Sequence, residues 1–318
     1  MREILFVKNN KNKWEAYENT FNDEKNISPV ELTNMLIDVS EDLGYAQTHY
    51  PGTETEGYLN GLAMRIHQAI YKNKRYGEST FLKFFKEYIP DVLYEHRRYL
   101  FYSFAAFSFF CILGFVSQMY NPDYVRLILG DFYVDSTIER IKNGDPFGIY
   151  KEENALMMFI GIALNNIKVS FLVFAAGILT SFGTYYLLAF NGIMLGSFFA
   201  FFHQYNLLAQ ASRVVWLHGT IEILSIIIAG AAGIIMGNSF LFSGNFPRLY
   251  YFQMKSKTAI SIIYALIPFF LIAAFIESFV TRYTSMPVLL SILIISASLI
   301  LMTGYFIFYP YYRKKVKL

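Results

Sequence analysis

Polar and apolar positions change regime near residue 98. Before it, apolar residues recur at helical spacing among charges. After it, apolar windows of about twenty residues succeed one another, the length a hydrocarbon core of about 30 Å demands of a helix. They fall near Tyr99 to Met119, Ala155 to Gly177, Gly183 to His203, Val215 to Gly237, Ala259 to Val280 and Val288 to Tyr309. The pattern predicts an all-α protein, with a small soluble helical domain over 1–98. A polytopic membrane helix bundle of about six spans follows over 99–318, with a loop at 120–154 on the outer side.

Within the soluble part, Ser28-Pro29-Val30-Glu31 reads as an N-cap, a proline at the first helical position and the glutamate of a capping box, opening a helix to about Leu43. Tyr50-Pro51-Gly52-Thr53 is a turn, after which Tyr58, Leu59, Leu62, Ile66 and Ile70 keep helical spacing through Tyr71. A further helix is expected from about Ser79 to Tyr88. In the outer loop, Asp135, Ser136 or Thr137 is placed to cap a short helix through Ile141, and Asn143-Gly144-Asp145-Pro146 is a turn. Residues 155–203 admit two drawings, because Asn165-Asn166 and Lys168 interrupt an apolar run and Ile178 to Phe182 carries no charge. Either two spans meet there, or Ile167 to Phe190 is a single span flanked by broken or re-entrant half-helices.

Charge then sets the orientation. Arg97-Arg98, the group Arg248, Lys255 and Lys257, and the tail Arg313, Lys314, Lys315 and Lys317 share one face, whereas 120–154 holds four basic and seven acidic residues. By the positive-inside rule both termini are cytoplasmic, in a bacterial inner membrane. Met1-Arg2-Glu3 opens no charged-then-apolar signal, consistent with a cytoplasmic first domain. The net charge of +3 is no nucleic-acid footprint, because residues 1–98 hold 13 basic and 15 acidic residues and the excess base lies beside the spans. Cys111 is the only cysteine, which excludes an intrachain disulfide and a cysteine zinc site. Most of the 32 Phe and 25 Tyr face lipid or its interfaces, with Tyr309-Pro310-Tyr311-Tyr312 as an anchor.

Candidate chemistry lies inside the spans. After residue 154 the only acidic residues are Glu222 and Glu277, and an intramembrane carboxylate is costly enough to mark a functional site. His218 and Glu222 are four apart on one helix face, with Ser225 three further on. At 1.5 Å per residue, Glu222 lies roughly 10 Å below the outer boundary, His218 and Glu277 roughly 5 Å and Asn165 roughly 15 Å, so an outward polar site is expected around Asn165, Asn166, Lys168, His218, Glu222 and Glu277. Glu277 needs a partner from another helix. Lys168 either bends outward to supply it or snorkels inward.

The His218–Glu222 pair could bind a metal, relay a proton or join helices. A catalytic zinc needs three protein ligands and no second such pair occurs in the spans, so no metal or cofactor is expected. No phosphate loop, nucleophile elbow or cysteine pair occurs, which disfavours an ordinary soluble enzyme. Gly192 and Gly196, and Ala229, Gly233 and Gly237, are small residues at four-residue spacing that predict close helix contacts within a bundle or a homodimer.

Asn165-Asn166-Ile167-Lys168-Val169-Ser170-Phe171, Asn191-Gly192-Ile193-Met194-Leu195-Gly196, His218-Gly219-Thr220-Ile221-Glu222, Ala229-Gly230-Ala231-Ala232-Gly233 and Phe275-Ile276-Glu277-Ser278-Phe279-Val280-Thr281-Arg282 together resemble the pattern of the stage II sporulation protein M family. Met1-Arg2-Glu3 with Phe6 and Trp14, Tyr45-Ala46 through Tyr50-Pro51, and Tyr58-Leu59-Asn60 resemble its long bacterial members, which carry a cytoplasmic extension. The resemblance implies a non-enzymatic membrane protein. Founding members act with peptidoglycan-degrading partners during engulfment, and members like this one accompany RDD-type membrane proteins, MoxR-type ATPases and von Willebrand A-type proteins. The expected role is a cell-envelope scaffold that recruits membrane or envelope partners, with membrane lipid around it and a cytoplasmic partner on the N-terminal domain. The rival is a transporter or lipid-handling protein using the site around Glu222.

Overall fold

The computed structural model describes residues 3–22, 29–73, 80–149, 154–178, 180–244, 247–283 and 286–317, and every regular element in them is helical. The chain divides into two compact units, Met1–Lys83 and Phe84–Leu318.

In the first unit, α1 (Glu3–Asn22), α2 (Pro29–His49) and α3 (Glu54–Asn73) enclose one core of Phe6, Trp14, Leu32, Met35, Val39, Ala46, Leu59, Leu62 and Ile66. Leu59, Leu62 and Ile66 repeat at i, i+3 and i+7, which puts them on the buried stripe. The helix α2 runs to His49, past the expected Leu43, because Tyr45 stacks on Phe6 and Ala46 is buried. Gly52 takes φ 77° in the turn after it, where its N–H donates to Glu56 Oε2 at 2.6 Å. Trp14 and Tyr17 carry polar tips into the unit and donate to Asp42 at 2.8 Å and Asp38 at 2.6 Å. The expected cap Ser28 and the helix start at Ser79 lie outside the described residues, with α4 (Thr80–Lys83) following.

The second unit opens with a π turn, Phe84–Tyr88, and α5 (Ile89–Glu95). Among the described residues, six helices long and apolar enough to cross a membrane follow over Arg97–Tyr120, Ala155–Ile178, Ser181–Gln204, Leu208–Leu241, Arg248–Val280 and Val288–Val316. They contain α6 (Arg97–Tyr120), α9 (Ala155–Ala175), α10 (Ser181–Gln204), α11 (Leu208–Leu241), α12 (Arg248–Phe275), α13 (Val288–Thr303) and α14 (Tyr309–Lys317). Two separate helices therefore cover 155–203, and no single span runs from Ile167 to Phe190. The helix α9 starts where Asn154 Oδ1 accepts the Leu156 amide at 2.9 Å.

The helix α11 is central, with most of its faces covered by neighbours. Backbones meet at its glycines: a Cβ on Gly233 would press on Thr184 and the Val173 carbonyl, one on Gly177 would strike the Gly233 backbone, and one on Gly237 would strike Thr180 and Ser181. Ala229 is fully buried among Ile262, Ala265 and their neighbours. Gly192 and Gly196 instead seat α10 on α6, against the backbone between Phe107 and Phe115. Hydroxyls tie the same contacts, with Ser103 donating to the Ile227 carbonyl at 2.6 Å and Thr184 to the Val173 carbonyl at 3.0 Å.

At the end of the unit that carries residues 120–149, α7 (Tyr124–Leu129) and α8 (Asp131–Lys142) pack Val125, Val134 and Phe147 on Phe201, Phe202, Ala211 and Val214. The short helix begins at Asp131, earlier than the expected cap at 135–137, because Gly130 turns the chain at φ 84°. Thr137 is buried and its hydroxyl bonds back to the Tyr133 carbonyl at 2.7 Å. Arg126 links Asp131 at 3.0 Å and Asp135 at 2.7 Å, contacts that raise its already high pKa.

Candidate functional site

Three helices bring the intramembrane polar residues to one level. The four-residue spacing on α11 aims His218 and Glu222 the same way. Asn166 of α9 donates its amide to Glu222 Oε1. Glu277 comes from the end of α12, where the helix widens into a π turn over Ile276–Val280 and the Thr281 amide bonds five residues back to the Ile276 carbonyl at 2.9 Å. Such single widened turns are frequent at functional positions.

His218 is buried and reaches the end of α12. Its Nε2 lies 3.8 Å from Glu277 Oε1, and its Nδ1 lies 3.3 Å from Thr281 Oγ1. The same hydroxyl lies 3.3 Å from the Ile276 carbonyl, to which it can also donate. One ligand atom from each of His218, Glu222 and Glu277 lies within 4.8 Å of the others.

Of the residues expected at this site, Asn166, His218, Glu222 and Glu277 meet, while Asn165 and Lys168 lie on exposed faces of α9. Successive helical residues point about 100° apart, so of two adjacent asparagines only one can face α11. The cross-helix partner of Glu277 is His218, and the exposed Lys168 side chain leaves that role to it. His203 is exposed at the end of α10 beside Phe115.

Two polar joints escaped the sequence reading. Gln118 is fully buried at the end of α6, where it donates to Gln204 Oε1 at 3.0 Å and the Pro122 carbonyl at 2.9 Å and accepts the Val125 amide at 2.6 Å. Lone glutamines at the ends of two spans were the available signal. At the opposite end, His96 donates Nδ1–H to the Val92 carbonyl at 2.9 Å and accepts Lys255 Nζ on Nε2 at 3.0 Å. Burial, with Lys255 adding to it, holds its pKa below the ordinary histidine value.

In chemical terms, an imidazole and two carboxylates enclosed among apolar helices can fasten those helices, share a proton or hold a cation. Residues 103–282, more than half of the chain, match the family model described as Stage II sporulation protein M, and residues 4–72 match a Domain of unknown function (DUF8413). No curated protein and no solved structure matches the chain.

Proposed function

The chain belongs to the stage II sporulation protein M family of multi-pass membrane proteins, and from that premise we propose that it is a non-enzymatic organiser of a cell-envelope complex. The observation that carries this reading is the use made of the polar side chains in the spans. Asn166 with Glu222, His218 with Glu277 and Thr281, Ser103 with Ile227, and Gln118 with Gln204 all spend polar groups on joining one helix to another. A bundle stapled at several levels is a stiff platform. Two further parts of the chain are suited to partners. The α1–α3 unit is a separate compact body for a cytoplasmic partner, and α7–α8 exposes Leu127 and Phe132 toward an envelope protein or lipid headgroups. In this reading the protein sits in the bacterial inner membrane with both termini inside, alone or as a homodimer.

Crosslinking and purification from its own membranes test the role. The whole chain should retain a defined set of membrane and envelope proteins, and a chain lacking residues 1–83 should lose the cytoplasmic members alone. Glu222-dependent movement of a solute or protons by the pure protein in liposomes, with no specific co-purifying protein, would replace the organiser with a transporter.

A further inference from the structure

We propose that His218, Glu222 and Glu277 form an intramembrane binding site for one divalent transition-metal ion of the zinc class. The spacing of His218 and Glu222 supplies two ligands from α11, and the fold adds a third from the π turn after α12, which is the count that a zinc site with one open position requires. Zinc holds nitrogen and oxygen at about 2.0–2.2 Å, so tetrahedral neighbours stand roughly 3.4 Å apart. The 3.8 Å between His218 Nε2 and Glu277 Oε1 is close to that value, and all three ligand atoms lie within 4.8 Å. Small side-chain rotations close the remainder.

Hydrogen-bond accounting points the same way. In the tautomer with its proton on Nδ1, toward Thr281, His218 presents an Nε2 lone pair on the side of the Glu277 carboxylate, as a metal-ligating imidazole does. Two neighbouring carboxylates in a protein interior also repel unless one of them takes a proton or a cation lies between them. A divalent cation takes that lone pair and an oxygen from each carboxylate at once and leaves a site of zero net charge. The outer partners are in place: Thr281 orients the imidazole, and Asn166 orients the Glu222 carboxylate. An independent pointer comes from buried hydroxyls. Ser170 and Ser225 follow Asn166 and Glu222 by four and three residues on the same helix faces; each is at most 1% exposed and its Oγ has no hydrogen-bond partner among the described residues. Unmatched buried polar atoms of this kind mark water or an ion nearby. The imidazole selects a zinc-class metal over magnesium or calcium, which prefer oxygen ligands alone.

This inference goes beyond the organising role and fails separately from it, on metal content and not on what co-purifies. The test uses the full chain in detergent, loaded with zinc or cobalt, desalted, and read by elemental analysis and by the visible absorption of cobalt. Wild type and the control His203→Ala should each retain one metal per chain, and Glu222→Gln and Glu277→Gln should lose it. If size-exclusion shows that the glutamine variants misfold, Asn166→Ala, which keeps every ligand, should weaken zinc affinity by about 10–100-fold; unchanged affinity there overturns the site. Equal retention by wild type and the doubly substituted Glu222→Gln/Glu277→Gln chain also overturns it.

Discussion

Asn166 and Glu222 show how much one side chain decides when the solvent is lipid. Removing the amide in Asn166→Ala strands a buried carboxylate, at a cost of about 1–3 kcal/mol. The thermal midpoint in detergent should fall, and should fall far less when Asn166→Ala is placed on Glu222→Leu, where no carboxylate remains. Equal losses in both backgrounds would mean that the contact carries no energy. His96 makes a pH-dependent prediction at the other end of the bundle. Its folded pKa is depressed below the unfolded value of about 6.5, so its contribution is present above that pH and is lost as pH falls through the folded value. Protonation would also set a positive imidazole against Lys255, with Glu95 3.5 Å from the same ammonium as the local counter-charge. Wild-type stability should therefore drop more steeply than that of His96→Gln between pH 7 and acid, measured as the difference between the two melting curves.

At the scale of the helix, packing depends on a few missing side chains. A Cβ on Gly196 would sit against the Cys111 carbonyl and the Phe115 amide, groups that cannot swing away, whereas Gly161 meets nothing within 4 Å. Gly196→Leu should cost at least the overpacking penalty of about 1–3 kcal/mol and lower the melting temperature, and Gly161→Leu should change it little. Comparable melting of the two variants would detach α10 from α6. Gly233→Leu should behave like Gly196→Leu, since Thr184 and the Val173 carbonyl already fill that space.

For the whole molecule, the testable property is orientation. Cysteines placed singly at Asp135 and Lys315 in a Cys111→Ser chain report it: an impermeant thiol reagent on intact cells should label position 135 and spare 315. Labelling of the Lys315 site would invert the bundle and move the His218 site toward the cytoplasm. The second unit also carries its own reinforcement on the terminal side, where Arg313 bonds Asp91 at 3.0 Å and Tyr305 donates to the Phe85 carbonyl at 2.9 Å. Those contacts bind α14 and the turn before it, Gly304–Phe308, to α5 and the π turn that precede the first span.

The sequence by itself determined the six spans and the helical first unit, because a bilayer demands about twenty apolar residues per helix and a small core demands apolar residues at i, i+3 and i+7. It also determined that His218 and Glu222 share a face, since that follows from 3.6 residues per turn. What crosses from one helix to another was decided only by the tertiary structure. The choice of Asn166 over Asn165 depends on how α9 is rotated against α11, and a rotation of 100° is invisible in an apolar run. The π turn that supplies Glu277 is a matter of backbone register with no residue signature. The third ligand beside His218 and Glu222 therefore lay 55 residues away in a sequence that gave no spacing by which to find it, and only the packing of α12 on α11 brought it within reach.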